Sequence, residues 1–362
     1  MFPRIPIFTR PLTVIFQFMK VLITGATGLL GNHVARALAG RGHQVRVLIR
    51  PTSDRRVLAD VPCEYAYGDL CNAGALREAV VGVEAVVHSA AVTATGITAD
   101  SYYEEVNLQG TVRLVEAMQR AGCRRLVHVS TANTLGPGSR RQPGTESSPF
   151  ALQHFRSGYV NTKYQAEQFV LRKNGHAGLE AVVVNPTFMI GSHDYKPSSG
   201  QLLLHGLKPV QLCPPGGKNF VPVKDAAQGV CEALLRGQPG RNYLLAGDNL
   251  TYAEFFDKVQ AIAGRRPFRV RVPRGLFHLA GLTGTAIGKV RRREVDFNYV
   301  NARLLSLDNY YSGQRAREEL QMPHTSLDDA IREALAWFEA NGYLPLSGFK
   351  KTESGERAPL NN

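Results

Sequence analysis

A tyrosine and a lysine four residues apart, Tyr159 and Lys163 in Tyr159-Val-Asn-Thr-Lys163, stack a phenol and an ammonium on one helix face. A free phenol, with a pKa of about 10, is a poor proton shuttle at neutral pH, but a cation held close favours the phenolate and lowers that value. So tuned, Tyr159 serves as a general acid or base. The spacing alone also describes many solvated helix faces. What precedes it gives it weight: Leu126-Val-His-Val-Ser130 reads as a strand that ends in Ser130-Thr131-Ala132, and open parallel sheets bind ligands beyond the carboxyl ends of their strands. A hydroxyl there, from Ser130 or Thr131, can hydrogen-bond a substrate oxygen. The plainer alternative is that both hydroxyls satisfy backbone groups at the strand end.

A second constellation lies near the start. Val21-Leu-Ile-Thr-Gly-Ala-Thr-Gly-Leu-Leu-Gly31 runs from an apolar strand into glycines at 25, 28 and 31, and then into a helical pattern with Val34 and Leu38 on one face. A strand, a glycine turn and a helix N-terminus in that order bring backbone N–H groups and the positive end of a helix dipole up to a pyrophosphate. In that reading Gly25 permits the turn, Gly28 removes the side chain that would block the phosphates, and Gly31 lets the helix pack on the sheet. The flanking strand and helix separate this from a chance glycine pattern.

The elements that must hold these residues alternate. Strands are expected at 21–24, 44–50, 64–67, 85–89, 125–130 and 181–184, most of them near-continuous apolar runs, as strands covered on both faces require. Helices are expected at 29–39, 73–80, 102–120 and 159–174, so the fold class is α/β, a Rossmann-type doubly wound parallel sheet. The expected division is an extension over 1–18, a dinucleotide-binding domain over 19–185, a smaller mixed substrate lobe over 186–345 and a loose tail over 346–362. Residues 242–247 read as a strand returning to the main sheet. Helices at 252–264, 276–284 and 327–341 complete the lobe.

Bulk composition narrows the class. Of 362 residues 44% are hydrophobic and 20% charged, an ordinary globular balance. The formal charge of +13 raises nucleic-acid binding, but the cations are spread out, with small clusters at Arg124-Arg125, Arg265-Arg266 and Arg291 to Arg293, and no nucleic-acid module accompanies them. The five cysteines show neither a C-x-x-C pair nor zinc spacing, which points to a reducing, cytoplasmic setting and no metal. Residues 1–18 are too short and too broken by Pro3, Pro6 and Pro11 to span a membrane, so no membrane partner is expected, a small apolar anchor being the alternative reading of that extension. Met19 reads as the natural start.

At this point the chain resembles a known family, the extended short-chain dehydrogenase/reductases of the NAD(P)-dependent epimerase/dehydratase superfamily. The dihydroflavonol 4-reductase-like branch, which includes the bacterial hopanoid-associated sugar epimerase group, is the nearest in pattern. The motifs that carry the resemblance over about residues 19 to 345 are Thr24 to Gly31, Gly68-Asp-Leu70, His88-Ser-Ala-Ala91, Val106 to Thr111, Tyr159 to Lys163, Asn185-Pro186 and Val221 to Asp225. It implies Tyr159 as the catalytic acid/base and Lys163 as the group that lowers its pKa and binds the nicotinamide ribose. Thr131 takes the place of the usual catalytic serine, with Ser130 in reserve. Gly25, Thr27, Gly28, Leu29, Leu30 and Gly31 would hold the pyrophosphate. Asp69 and Leu70 would lie by the adenine, Ser89, Ala90 and Ala91 along the cofactor, and Asn185 and Pro186 beside it. Asn107 is expected to tie a helix to a neighbouring strand, and a homodimer is common in the family.

Cofactor choice is argued from the end of the second strand, where an acidic residue would bind the ribose 2′-hydroxyl of NAD. This chain has Arg50 there, followed by Pro51-Thr-Ser-Asp-Arg-Arg56, which favours the 2′-phosphate of NADP over NAD. Asp54 is the dissenting residue. His88 and His128 read as core or near-cofactor residues and Tyr310-Tyr311 as lobe packing. Phe188, Met189, Asp194, Tyr195 and Lys196 either line the substrate pocket or form ordinary loop. The leading expectation is an NADP(H)-dependent reductase of a small-molecule ketone or aldehyde. A nucleotide-sugar epimerase or dehydratase with retained cofactor, and a non-catalytic dinucleotide sensor or scaffold, are the alternatives.

Overall fold

The computed structural model describes residues 18–93, 100–155, 157–266, 268–291 and 299–344. Apart from Phe18, the expected N-terminal extension lies outside the described residues, as does the tail. The first half alternates strand and helix: β1 (Lys20–Thr24), α1 (Leu29–Gly40), β2 (Gln44–Ile49), β3 (Cys63–Tyr67), α2 (Ala73–Ala79), β4 (Ala85–His88), α3 (Asp100–Tyr103), α4 (Gly110–Ala121), β5 (Arg125–Val129), α5 (Gly158–Lys173) and β6 (Glu180–Pro186). The single helix expected over 102–120 is interrupted. Between α3 and α4 the turn widens into a π-helix over Glu104–Gln109, a local distortion often found at functional sites.

The second half contains β7 (Phe188–Ile190), α6 (Gly200–Gly206), β8 (Val210–Cys213), β9 (Gly217–Pro222), α7 (Val223–Arg236), β10 (Asn242–Leu245), β11 (Asp248–Thr251) and α8 (Tyr252–Ala263). It continues with β12 (Phe268–Arg271), α9 (Arg274–Arg291), α10 (Tyr299–Leu305), β13 (Asp308–Asn309), α11 (Gln314–Leu320) and α12 (Leu327–Ala340). Seven strands form one parallel sheet in the order β10-β6-β5-β4-β1-β2-β3. The order reverses at β1, which pairs with β2 on one side and β4 on the other. Thr24 is level with His88, His88 with His128, and Val129 with Val184, so the carboxyl ends of the central strands finish together. Ligands bind at such a reversal.

Apolar side chains on alternate strand positions build a core on each face of the sheet. Val21, Ile23, Val127 and Val182 point to the side covered by α1 and α7, and Leu22, Val86, Leu126 and Val183 to the side covered by α2, α4 and α5. Each fully buried aliphatic side chain contributes roughly 1.5–3 kcal/mol. The return to the main sheet is larger than residues 242–247. Val223, Ala227, Val230 and Leu234 of α7 and Ala316 and Leu320 of α11 belong to the same core as β1, because β10 needs a covered face as much as its neighbours do. What remains is a true lobe. Phe220, Tyr252, Phe255, Phe256, Ile331 and Phe338 form its separate core around a small sheet in which β9 pairs with β7, β11 and β13.

Candidate active site

The glycine turn is built by close approach. Gly25 has φ of +76°, and a Cβ on it would stand 2.6 Å from the backbone nitrogen of Ala90, so both conformation and space exclude a side chain. A Cβ on Gly31 would stand 2.3 Å from the carbonyl oxygen of Gly25. Gly31 therefore lets α1 close on the turn itself rather than on the sheet. Gly28 donates its N–H to that same carbonyl at 3.0 Å and takes extended backbone geometry with no side-chain cap. The first N–H groups of a helix have no partner within it, and here no side chain of the cap or acid of the first turn occupies them. A pyrophosphate fits this cradle.

Beyond the turn opens a cavity of about 810 Å³ lined by residues from both halves of the chain, on the scale of a small-molecule or cofactor site. Thr27, Leu29, Leu30, Arg50, Asp69, Leu70, Ser89, Ala90, Ala91, Thr131, Tyr159, Lys163 and Pro186 all face it. At one end are Arg50, exposed just past β2, and Ser53. The dissenting Asp54 is turned to its own neighbour: Arg56 donates to both its carboxylate oxygens, Nε at 2.9 Å and Nη2 at 2.7 Å. That guanidinium holds the exposed carboxyl down at about 2. Asp69 remains, its Oδ1 accepting from the Cys71 N–H at 2.8 Å.

At the centre α5 presents Tyr159, Lys163 and Glu167 on one face, each one turn after the last. Ser157 starts the helix, its hydroxyl accepting from the Val160 N–H. The Tyr159 phenol lies on the cavity wall in hydrogen-bond contact with Thr131. Burial raises its pKa, and the Thr131 hydroxyl pulls the other way. The expected lowering by Lys163 is not among these causes. The Lys163 ammonium donates instead to the Val129 carbonyl at 2.6 Å, and burial brings its own pKa down to about 8 while Glu167 opposes the fall.

Glu167 was not anticipated from the sequence, and it organises the floor of the site. Its Oε2 accepts from Ser130 Oγ at 2.6 Å, Thr134 Oγ1 at 2.6 Å and Asn185 Nδ2 at 2.9 Å. Two expectations change as a result. The Ser130 hydroxyl is committed to this carboxylate, leaving Thr131 as the hydroxyl beside Tyr159. Asn185 is fully buried and absent from the cavity wall, its amide donating to Glu167, Thr134 Oγ1 and the Thr131 carbonyl. It positions the Thr131 segment and does not line the cofactor cavity. Asn107, in the π-helical turn, receives the Val92 N–H at 2.8 Å and donates to Val92 O and Thr162 Oγ1. It thereby ties the segment after β4 to α5.

His88 and His128 lie side by side in the sheet, ring centroids 5.3 Å apart. His88 bridges Thr24 Oγ1 and Thr111 Oγ1 at 2.7 and 2.9 Å, and burial brings it down to about 3. Burial and the nearby Lys163 charge likewise keep His128 neutral.

At the far end Phe188, Met189, Asp194, Tyr195 and Lys196 all reach the cavity. Asp194 also accepts from the Ser198 and Gly200 N–H groups, both at 2.9 Å, and so shapes the loop before α6. Lys218, Asn309 and Tyr311 join them, with no motif to announce them. Lys218 lies over the Phe188 ring at 5.2 Å, its pKa brought down to about 8 by burial. Of the tyrosine pair read as lobe packing, Tyr311 is a wall of the cavity, its hydroxyl donating to the Leu135 carbonyl.

The family model described as NAD dependent epimerase/dehydratase family matches residues 21–246. Sterol demethylase protein B of Methylococcus capsulatus is 32% identical over 334 residues, 90% of this chain and 100% of that one. A Synechocystis relative with a provisional dihydroflavonol 4-reductase name is 28% identical over 328 residues, 89% of this chain and 95% of its own. The crystal structure of gox2253 superposes with a TM-score of 0.79 at 33% identity, covering 90% of this chain and 99% of that one. The cradle, the Tyr-x-x-x-Lys helix and these likenesses agree: the chain belongs to the NAD-dependent epimerase/dehydratase family of extended short-chain dehydrogenase/reductases and is an NAD(P)-dependent oxidoreductase.

Proposed function

We propose that this protein reduces a ketone or aldehyde with NADPH, Tyr159 acting as the general acid. The observation that carries the reading is the grouping of Tyr159, Thr131 and Lys163 on the wall of the cavity that the glycine turn opens into. When bound, the nicotinamide supplies the hydride. Thr131 orients the carbonyl oxygen and Tyr159 donates the proton that its developing negative charge requires. The Lys163 ammonium lies one helical turn behind, where it stabilises the phenolate left after transfer and reaches toward the ribose. The preference for NADP is supported by Arg50 at the cavity edge and by the pairing of Asp54 with Arg56.

Phe188, Met189 and Tyr311 favour an apolar carbonyl compound, and the sterol named in a relative is likewise apolar. Lys218 favours a second reading, since a cation beside an aromatic ring also suits the phosphate of a nucleotide sugar. Retention of the cofactor through turnover would mark that epimerase or dehydratase chemistry, whereas a reductase releases NADP with each cycle. No acid accompanies Thr131-Ala132-Asn133, which weighs against dehydration. The test is a panel of sterol ketones, simple aldehydes and nucleotide sugars followed by NADPH absorbance, with Tyr159→Phe beside the wild type. Turnover is expected with a carbonyl substrate and at least a hundred-fold loss, roughly, in the variant. Undiminished turnover in Tyr159→Phe would remove the mechanism.

A further inference from the structure

The positive charge that looked dispersed in the sequence is concentrated by what is missing around it. From Val259 to Arg293 the chain holds Arg265, Arg266, Arg269, Arg271, Arg274, Lys289, Arg291, Arg292 and Arg293 and not one Asp or Glu. Within that stretch α9 carries no charged residue from Gly275 to Gly288, a length of about 20 Å. Its inward side is made by Phe277, Gly281 and Gly284. Its outward side is apolar apart from Thr283: Leu276 is 58% exposed, Leu279 55%, Leu282 48% and Ile287 47%. Just before it, β12 pairs in parallel with β8 so that Phe268 stands opposite Val210, and both are more than half exposed. A row of exposed leucines bracketed by cations is the pattern of a helix that lies in a membrane interface. Among the described residues no helix is long and apolar enough to cross a membrane.

We infer that α9, with the basic strand leading into it, is a docking surface for an anionic lipid bilayer. The apolar side inserts to the level of the acyl chains, and exposed cations such as Arg266 and Arg274 meet the headgroups. A second copy of the chain fits this face poorly, because a two-fold contact would set the same acid-free basic stretch against itself. The surface lies behind the segment around Ser306, which packs toward the catalytic helix. Arg274 donates to the Ser306 carbonyl and His278 bonds the Ser306 hydroxyl, at 3.1 and 3.0 Å. Beside Ser306, Leu304 and Leu307 pack on the cluster of Leu152, Phe155 and Val160, against which Tyr159 also packs. The Ser306 segment and the cluster of Leu152, Phe155 and Val160 thus stand between α9 and Tyr159. The inference replaces the expectation of no membrane partner, and its test does not depend on the chemistry proposed above.

The test is flotation of the full chain with vesicles of phosphatidylcholine alone and of phosphatidylcholine containing about 30% phosphatidylglycerol. Binding is expected to the anionic vesicles only, and to weaken as salt is raised. Leu279→Asp with Ile287→Asp, and separately Arg265→Glu with Arg266→Glu, should each weaken it at least about ten-fold, with circular dichroism and melting temperature showing whether each remains folded. If the leucine variant does not fold, Arg266→Glu alone, which changes an exposed charge, decides. No partition into anionic vesicles, or equal partition by a folded variant and the wild type, overturns the inference. So does a concentration-dependent dimer that Leu279→Asp dissolves, which would assign the face to a second copy.

Discussion

Replacing Glu167 tests whether the floor of the site is held as the geometry implies. Three donors converge on its Oε2, from Ser130, Thr134 and Asn185 at 2.6, 2.6 and 2.9 Å. Hydrogen bonds to a charged group contribute about 1.5–3 kcal/mol each, or roughly 5–9 for the set. Against this stands the desolvation of a buried carboxylate, several kcal/mol, which the substitution relieves. The Glu167→Ala variant is therefore expected to lose about 2–4 kcal/mol by urea denaturation. In Glu167→Gln one amide oxygen cannot accept all three donors and two new N–H groups need partners, so about 1–2 kcal/mol should be lost. The pH dependence has a definite sign. Burial raises the Glu167 pKa, so the protonated carboxyl's contribution is present below the ordinary glutamate range and fades as pH climbs through the raised value. The margin of wild type over Glu167→Gln should shrink across that window. A Glu167→Ala protein within about 0.5 kcal/mol of wild type, or a margin that widens with pH, would refute the reasoning.

Thr131→Ser keeps the hydroxyl beside Tyr159 and should retain kcat/KM within about ten-fold, whereas Thr131→Val should lose at least about a hundred-fold, measured on any substrate the panel yields. Arg50→Ala should raise the KM for NADPH about ten-fold and leave that for NADH nearly unchanged, and equal effects would sink the 2′-phosphate assignment. A methyl on Gly31 would meet the Gly25 carbonyl oxygen at 2.3 Å, but one on Gly28 has its nearest neighbour at 3.4 Å. Gly31→Ala should thus lower stability by about 1–3 kcal/mol, while Gly28→Ala melts near wild type and is impaired in cofactor affinity by fluorescence titration. Because the buried Lys163 ammonium sheds its proton near about 8, cofactor affinity should fall as pH rises through that value, a limb that Lys163→Arg shifts upward.

Sequence pattern was a good guide wherever one residue type had one physical use. Apolar runs such as Val21 to Thr24 gave the central strands, and the positive φ of Gly25 is the conformation a tight glycine turn needs. Lys163 was placed on the catalytic face by spacing alone, but spacing says nothing about the Val129 carbonyl that takes the ammonium's hydrogen bond. Glu167 was missed for a related reason. A carboxylate four residues past a lysine reads as a surface ion pair, and only the sheet beneath α5 shows it to be 1% exposed with three donors upon it. Lys218 and Tyr311 come from distant segments that converge only after the lobe folds. The acid-free basic stretch over 259–293 was hidden because counting cations does not register absent acids.

The order of groups along α5 bears on the direction of the chemistry. Tyr159, Lys163 and Glu167 set a neutral donor at the cavity, a cation one turn behind it, and an anion a further turn, about 6 Å, away. With His88 and His128 both held neutral by burial, the carboxylate is the one opposite charge acting on the ammonium among the described residues. Negative charge that develops on a substrate oxygen or on the phenol then meets the cation first, and the carboxylate's opposing field is weaker by distance. Exchanging the two, with glutamate at 163 and lysine at 167, would keep the net charge and set an anion next to the phenol. The phenolate would be disfavoured and proton donation slowed, so it is the sequence of charges along the helix, rather than their sum, that suits this face to proton donation.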